Sequence, residues 1–341
     1  MRTTRSTLLC LVFLLPVLSG CDTALRDENT LVVYSAGPRA LIETVVDSFE
    51  AQTGARVELF AATTGQIMAK LEAEKYRPRA DVVIFASQVA AEALKQDGRL
   101  LSYQPEWLDL THSHWHDPDH YYLATGAALV GVAMRAEAAD LSLDWKDFLD
   151  GGFPGRVLMP MPSRSGAAGD FLVSYALSHE ESIWDDFLAA RQQGLQFAAA
   201  NSQAISSLLI GSVQAIMGAV DYLIYRQIEG GEPLVMHYPP SGSALVLRPI
   251  VILADTPVPD LARRFVDTYF SVPMQQAVAD AHLLPAHREV AWSPVRSHDG
   301  LPPLLPLDMQ QALKRQTEIL RRFQYQVERA QVVRAGQGQT N

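Results

Sequence analysis

The residues best suited to hold a ligand lie between Met159 and Asp170, a stretch that reads MPMPSRSGAAGD. A short apolar strand is predicted over Arg156–Met161, and a helix is predicted from about Asp170. The small residues between them would let a ligand approach bare backbone N–H groups. The first N–H groups of a helix lack internal partners and carry a partial positive charge, so this stretch is typical of a site for a small anion.

The same kind of junction recurs in the first hundred residues. Strands are predicted over Thr30–Ser35, Arg56–Ala61 and Asp81–Ala86, and a helical pattern follows each of them. This alternation indicates a parallel, doubly wound sheet, in which ligands lie beyond the carboxyl ends of the strands. Three hydroxyl side chains share that position: Ser35, Thr64 and Ser87. Taken singly, each is better explained as a helix N-cap, but three on one sheet edge favour a binding site.

Another buried strand is predicted over Val213–Val220, and it ends at Asp221 and Tyr222. A carboxylate and a phenol at the carboxyl end of a strand could bind a ligand. They could also be an N-cap with a packed tyrosine. The residues leave both interpretations open.

Composition and charge narrow the classes of function. The 341 residues are 48% hydrophobic and carry a formal net charge of −10, from 28 basic and 38 acidic residues. An acidic chain is not expected to bind nucleic acid. The sequence lacks the serine-hydrolase elbow, the phosphate loop, the dinucleotide-binding glycines and the zincin motif, so no enzyme, metal site or cofactor is predicted.

The N-terminus has the features of a lipoprotein signal peptide. Arg2 and Arg5 precede an apolar run from Leu8 to Leu18, and Leu18-Ser19-Gly20-Cys21 matches the bacterial lipobox. Residues 1–20 are therefore predicted to be removed, residues 21–29 to form a tether, and Cys21 to carry the lipid. Ordinary secretory cleavage is the alternative.

The remaining chain divides into two predicted lobes. Residues 30–125 form the first lobe and residues 126–245 the second, and residues 246–330 return to the first lobe and add C-terminal helices. Apolar strands over Leu123–Met134 and Leu245–Leu253 are expected to cross between the lobes. An amphipathic helix over Asp308–Glu328 is predicted to pack against the lobe surface, and residues 331–341 form a frayed tail.

This organisation resembles the solute-binding proteins of bacterial ABC importers. The similarity is carried by LVVYSAG at 31–37, ATTGQIMAKLEAE at 62–74, FPGRVLMPMPSRSGAAG at 153–169 and VDYLIYRQIEGGEPL at 220–234. Within these proteins the chain is similar to the branch of ferric-ion-binding and 2-aminoethylphosphonate-binding proteins. The resemblance implies an α/β clamp of the type II periplasmic-binding-protein fold, in which each lobe is a doubly wound, mostly parallel sheet and two strands cross at the hinge.

The resemblance also implies where the ligand and the partners bind. In the first lobe the expected ligand-binding residues are Ser35, Ala36, Thr64, Gly65 and Ser87. In the second lobe they are Ser163, Ser165, Gly166, Ala167, Asp221 and Tyr222. The implied protein is a monomer at the periplasmic face of the cell membrane that delivers its solute to an ABC permease.

The sequence leaves two classes of ligand and one further role open. The hydroxyl and N–H groups suit a phosphonate, an aminophosphonate or a phosphate ester, and Asp221 could then pair with an ammonium group. The ferric branch uses paired tyrosines, so iron would be held by Tyr222, Tyr225 and Asp221. Iron is the second choice, because the first lobe offers no hard anionic ligand. A lipoprotein that reports its ligand to a sensor kinase is also consistent with the sequence.

Overall fold

The structure is a computed structural model that describes residues 28–179, 182–296 and 300–330. The predicted signal peptide, the lipobox with Cys21 and the C-terminal tail at 331–341 lie outside the described residues. No helix in the described part of the chain is long and apolar enough to cross a membrane.

The described residues form eleven strands and ten α-helices, which alternate over most of the chain. The strands are β1 (Thr30–Ser35), β2 (Arg56–Ala61), β3 (Val82–Ile84), β4 (Leu100–Leu101), β5 (Leu123–Arg135), β6 (Val157–Pro160), β7 (Gln196–Ala198), β8 (Ala215–Val220), β9 (Leu234–His237), β10 (Ala244–Leu253) and β11 (Leu284–Pro285). The helices are α1 (Arg39–Thr53), α2 (Thr64–Ala73), α3 (Gln88–Gln96), α4 (Gly166–His179), α5 (Ser182–Gln192), α6 (Asn201–Leu209), α7 (Asp221–Glu229), α8 (Pro259–Phe270), α9 (Val272–Asp280) and α10 (Met309–Phe323).

The sheet consists of two parallel halves joined by two long antiparallel strands. Its order is β2-β1-β3-β10-β5-β8-β6-β7, with β4, β9 and β11 attached at the sides. Strand β1 is parallel to β2 and β3, and β6 is parallel to β7 and β8. Strands β5 and β10 pair with each other. Strand β10 also pairs with β3 of one half, and β5 pairs with β8 of the other. This topology confirms the predicted two-lobe α/β clamp, and we call the half with β1–β3 lobe I and the half with β6–β8 lobe II.

The apolar periodicity of α1 shows how helices cover the sheet. Its buried residues Leu41, Ile42, Val45 and Phe49 recur on one face, as the sequence pattern predicts. Phe49 packs edge-on against Phe265 of α8, with 5.2 Å between ring centroids. The segment after β10 therefore returns to lobe I.

Helix α4 begins four residues earlier than the sequence pattern suggests. It starts at Gly166 rather than at Asp170, because the Ser165 side chain accepts a hydrogen bond from the Ala168 N–H at 3.3 Å. The alanines that follow favour a helix once it is capped. The N–H groups of Gly166 and Ala167 consequently lie at the positive end of the helix.

Candidate ligand-binding cleft

A cavity of about 100 Å³ lies between the two lobes. Lobe I lines it with Ala36, Thr63, Thr64 and Ala86. Lobe II lines it with Arg164, Ser165, Gly166, Ala167, Asn201, Val220 and Tyr222, and Arg248 comes from the crossing strand β10. Two lobes and a strand that joins them thus border one space.

Four helices present their N-terminal ends to this cavity. Thr64, Gly166 and Asn201 are the first residues of α2, α4 and α6, and Tyr222 is the second residue of α7. Helix α2 begins with a capping box in which Thr63 and Gln66 exchange hydrogen bonds. The partial positive charges of four helix ends favour an anion here.

Arg248 adds a full positive charge to the same cavity. Arg248 is only 3% exposed, and its Nη2 atom donates a hydrogen bond to the Ala36 carbonyl oxygen at 2.9 Å. The guanidinium lies 5.5 Å from the ring centroid of Tyr222, and it has no carboxylate partner among the residues that the structure describes. A buried cation without a counter-ion favours a bound anion.

Arg248 lies where the regular pairing of β10 with β5 is interrupted. The pairing register between β10 and β5 shifts between Leu247 and Pro249. Bulges re-aim side chains, and Pro249 cannot donate a ladder hydrogen bond. Sequence reasoning missed Arg248, although one charged residue inside the apolar run LVLRPIVIL was a signal.

The lobes are in direct contact beside the cavity. A Cβ atom added to Gly166 would lie 2.9 Å from the Ala86 carbonyl oxygen and 3.1 Å from Thr64 Oγ1. The Ser87 hydroxyl donates a hydrogen bond to Asp170 Oδ1 at 2.7 Å, which joins α3 of lobe I to α4 of lobe II. The structure therefore shows the clamp in a closed arrangement.

The predicted ligand-binding residues fall into three groups. Those that line the cavity are Ala36, Thr64, Ser165, Gly166, Ala167 and Tyr222. Those that line a second, adjoining cavity of about 280 Å³ but not the first are Gly65, Ser87 and Ser163. Ser35 and Asp221 line neither of these cavities. The buried Ser35 hydroxyl oxygen instead accepts a hydrogen bond from the Gly37 N–H at 3.0 Å, so it serves the turn after β1.

The position of Asp221 corrects the expectation that it faces a ligand. Its carboxylate is fully buried and accepts a hydrogen bond from Arg296 Nη1 at 2.7 Å and one from the Tyr238 hydroxyl at 3.2 Å. The Arg296 side chain is 1% exposed, so the ion pair is closed to solvent. Asp221 is thus already neutralised by an arginine that lies 75 residues away in the sequence.

The three possible iron ligands do not converge. Tyr222 lines the cavity, whereas Tyr225 is buried behind it and its hydroxyl lies 3.1 Å from that of Tyr238. The Arg296 guanidinium lies 5.0 Å from the Tyr225 ring centroid. Burial, and then the charge of Asp221, raises the pKa of the Tyr238 hydroxyl well above its ordinary value. These groups are arranged around an arginine rather than around a metal ion.

Comparison with known proteins identifies the family. Residues 30–283 match the family of bacterial extracellular solute-binding proteins. The chain belongs to this family. A relative from Sinorhizobium fredii, named a probable ABC transporter periplasmic-binding protein, is 23% identical over 272 residues, which are 77% of this chain and 75% of the relative.

Solved structures show the same fold for this solute-binding protein. The periplasmic binding protein AfuA from Actinobacillus pleuropneumoniae, with fructose-6-phosphate bound, superposes with a TM-score of 0.78 at 21% identity and covers 88% of this chain and 99% of its own. Iron-bound HitA from Pseudomonas aeruginosa has a TM-score of 0.76 at 19% identity, and the match covers 87% of this chain and 99% of HitA. Membership of the family indicates an extracytoplasmic binding protein rather than an enzyme.

Proposed function

We propose that this solute-binding protein captures a small anion of the phosphate or phosphonate type and delivers it to the permease of an ABC importer. The observation that carries the proposal is Arg248, a buried cation that lines the cleft without a carboxylate partner in the described chain. The named function of the Sinorhizobium relative and the sugar phosphate in AfuA support this assignment. Lipid on Cys21 would hold the protein at the membrane surface.

The charges around the cleft favour an anion over ferric iron. Arg248 and four helix N-termini border the cavity, and these groups repel a cation. Asp221 and Tyr225, which would complete an iron site with Tyr222, face Arg296. Because Asp221 is paired, the amino group of 2-aminoethylphosphonate gains no counter-ion from it, and the proposal concerns the phosphonate or phosphate group alone.

Titration calorimetry tests the proposal with methyl phosphate, ethylphosphonate, 2-aminoethylphosphonate and Fe³⁺. Charged hydrogen bonds contribute about 1.5–3 kcal/mol, so Arg248→Gln is expected to weaken anion binding roughly 10- to 100-fold. The matched control is Arg39→Gln, which removes an exposed arginine that pairs with Glu43 on the surface of α1. It is expected to leave the affinity unchanged.

Two results would overturn the proposal. One is anion binding that Arg248→Gln leaves intact while the variant keeps the melting temperature of the parent. The other is binding of Fe³⁺ alone, with the absorption band of an iron–tyrosinate complex.

A further inference from the structure

A second cavity of about 280 Å³ opens beside the first. Four residues line both: Thr64, Arg164, Ser165 and Gly166. The first cavity, at about 100 Å³, is smaller than the roughly 300–1,000 Å³ of a typical ligand pocket, so it has room for an anionic group but not for a larger solute. The shared lining makes the two cavities neighbours, so the second is the adjoining space for the rest of a larger solute.

Helix α10 forms the outer wall of this second cavity. Gln316, Thr317 and Leu320 line it, opposite residues of α3 and α4. The helix packs against both of those helices, and thereby against both lobes. Residues of α10 lie beyond residue 283, where the match to the family ends.

Several contacts hold the C-terminal end of α10 on lobe II. Phe323 packs edge-on against Phe187 of α5, with 5.0 Å between ring centroids. Ser163 donates a hydrogen bond to Glu328 Oε2 at 2.8 Å, which ties the π-helical segment Gln324–Glu328 after α10 to the loop before α4. The wall is therefore fixed to the same lobe that supplies most of the first cavity.

The lining of the second cavity is mixed, with six apolar side chains and eight polar or charged ones, among them Arg164 and Asp170. Its apolar side chains are Met68, Ala90, Ala93, Pro162, Val173 and Leu320. The side chains of Gln316 and Thr317, on α10, form no hydrogen bond with other described residues. Such a lining suits a carbon skeleton that also carries polar groups.

We propose that the second cavity is a subsite for the organic substituent of the ligand and that α10 determines which substituents fit. This inference rests on the proposed function, because the first cavity must hold the anionic group. The solute is then an organic phosphate or phosphonate, and inorganic phosphate is a poor ligand.

A series of alkyl phosphates tests the subsite by titration calorimetry. Methyl phosphate fills the first cavity, whereas butyl phosphate reaches the second. Each buried methylene group improves affinity by about fourfold, so butyl phosphate is expected to bind more than tenfold tighter than methyl phosphate. Inorganic phosphate is expected to bind most weakly.

The variant Ala93→Phe tests the second cavity without altering the first, because Ala93 lines only the second. The ring fills the subsite, so butyl phosphate is expected to lose its advantage while the affinity for methyl phosphate changes less than twofold. Gln96→Phe places the same ring on an exposed position of α3 and is the matched control. Thr317→Trp enters the subsite from α10 and gives a second test if Ala93→Phe does not fold.

The contrary outcomes distinguish the two proposals. If butyl phosphate binds no tighter than methyl phosphate, or if Ala93→Phe weakens both equally, the subsite is refuted and the anion site stands. If no phosphate or phosphonate binds, the proposed function fails, and the subsite fails with it.

Discussion

Ligand affinity is expected to rise as the pH falls from 8 to 6, because closure of the cleft buries Asp170. Burial raises the pKa of this carboxyl to about 7, and hydrogen bonds from the Ser87 hydroxyl and the Gln88 backbone offset part of the rise. Ser87 belongs to lobe I and Asp170 to lobe II, so opening separates them and hydrates the carboxyl. The pKa of the open form then returns toward the ordinary 3.8.

The sign and the magnitude of the pH effect on ligand affinity follow from these two pKa values. The Asp170 carboxyl has the higher pKa in the closed form, so its protonation favours closure. The free energy that protonation adds to closure is complete below the pKa of the open form and is lost as the pH rises through 7. Between pH 8 and pH 6 the closed form gains a factor of about ten, or about 1.4 kcal/mol, over an open form that stays ionised. A ligand that binds the closed form gains the same factor.

Calorimetric titration of wild type and Asp170→Asn with methyl phosphate at both pH values is the assay. The amide keeps a partner for Ser87 but is neutral throughout this range, and any titration of the ligand itself affects both proteins equally. The ratio of affinities at pH 6 and pH 8 is expected to be about tenfold larger in the wild type. Equal ratios in the two proteins would refute the reasoning.

Two further substitutions test the buried ion pair and the contact between the lobes. Arg296→Met leaves the carboxylate of Asp221 buried without its partner and is expected to lower the free energy of unfolding in urea by about 3–5 kcal/mol. Arg263→Met, which breaks an exposed pair with Asp260, should cost less than about 1 kcal/mol, and similar losses in both would contradict this account. Gly166→Ala places a Cβ atom 2.9 Å from the Ala86 carbonyl oxygen, so we expect about tenfold weaker ligand binding and a larger radius of gyration of the ligand-bound protein in X-ray scattering. Gly65→Ala, which meets no atom within 4 Å, is the control, and equal effects would show that the contact does not limit closure.

Local sequence patterns predicted the bounds of β1 and β2. Both agree with the prediction, although β1 is buried throughout and β2 is mostly exposed, because turn signals lie beside each strand: Ala36-Gly37-Pro38 after β1 and Thr53-Gly54 before β2. The start of α4 was misjudged, because SRSGAAG has the composition of a loop until Ser165 is seen to cap it. The predicted lobe boundaries remain a prediction.

The parts of the site that sequence reasoning missed depend on contacts between distant residues. Arg248 lies on β10 at a register shift against β5, and neither the shift nor the pairing of the two strands is encoded in the ten residues around it. Asp221 was assigned to the ligand because Arg296, its partner, lies far along the chain. A local pattern shows which residues could bind an ion but not which other side chain already does so.

The position of Arg248 on a strand that joins the lobes has a mechanical consequence. Points close to a pivot travel least when two bodies swing apart, whereas points far from it travel most. The charged head of the solute would thus be held almost stationary during each opening, and its departure would depend on the swing at the distal rim. Under the proposed function, exchange of solute with the permease would be controlled at that rim rather than at Arg248.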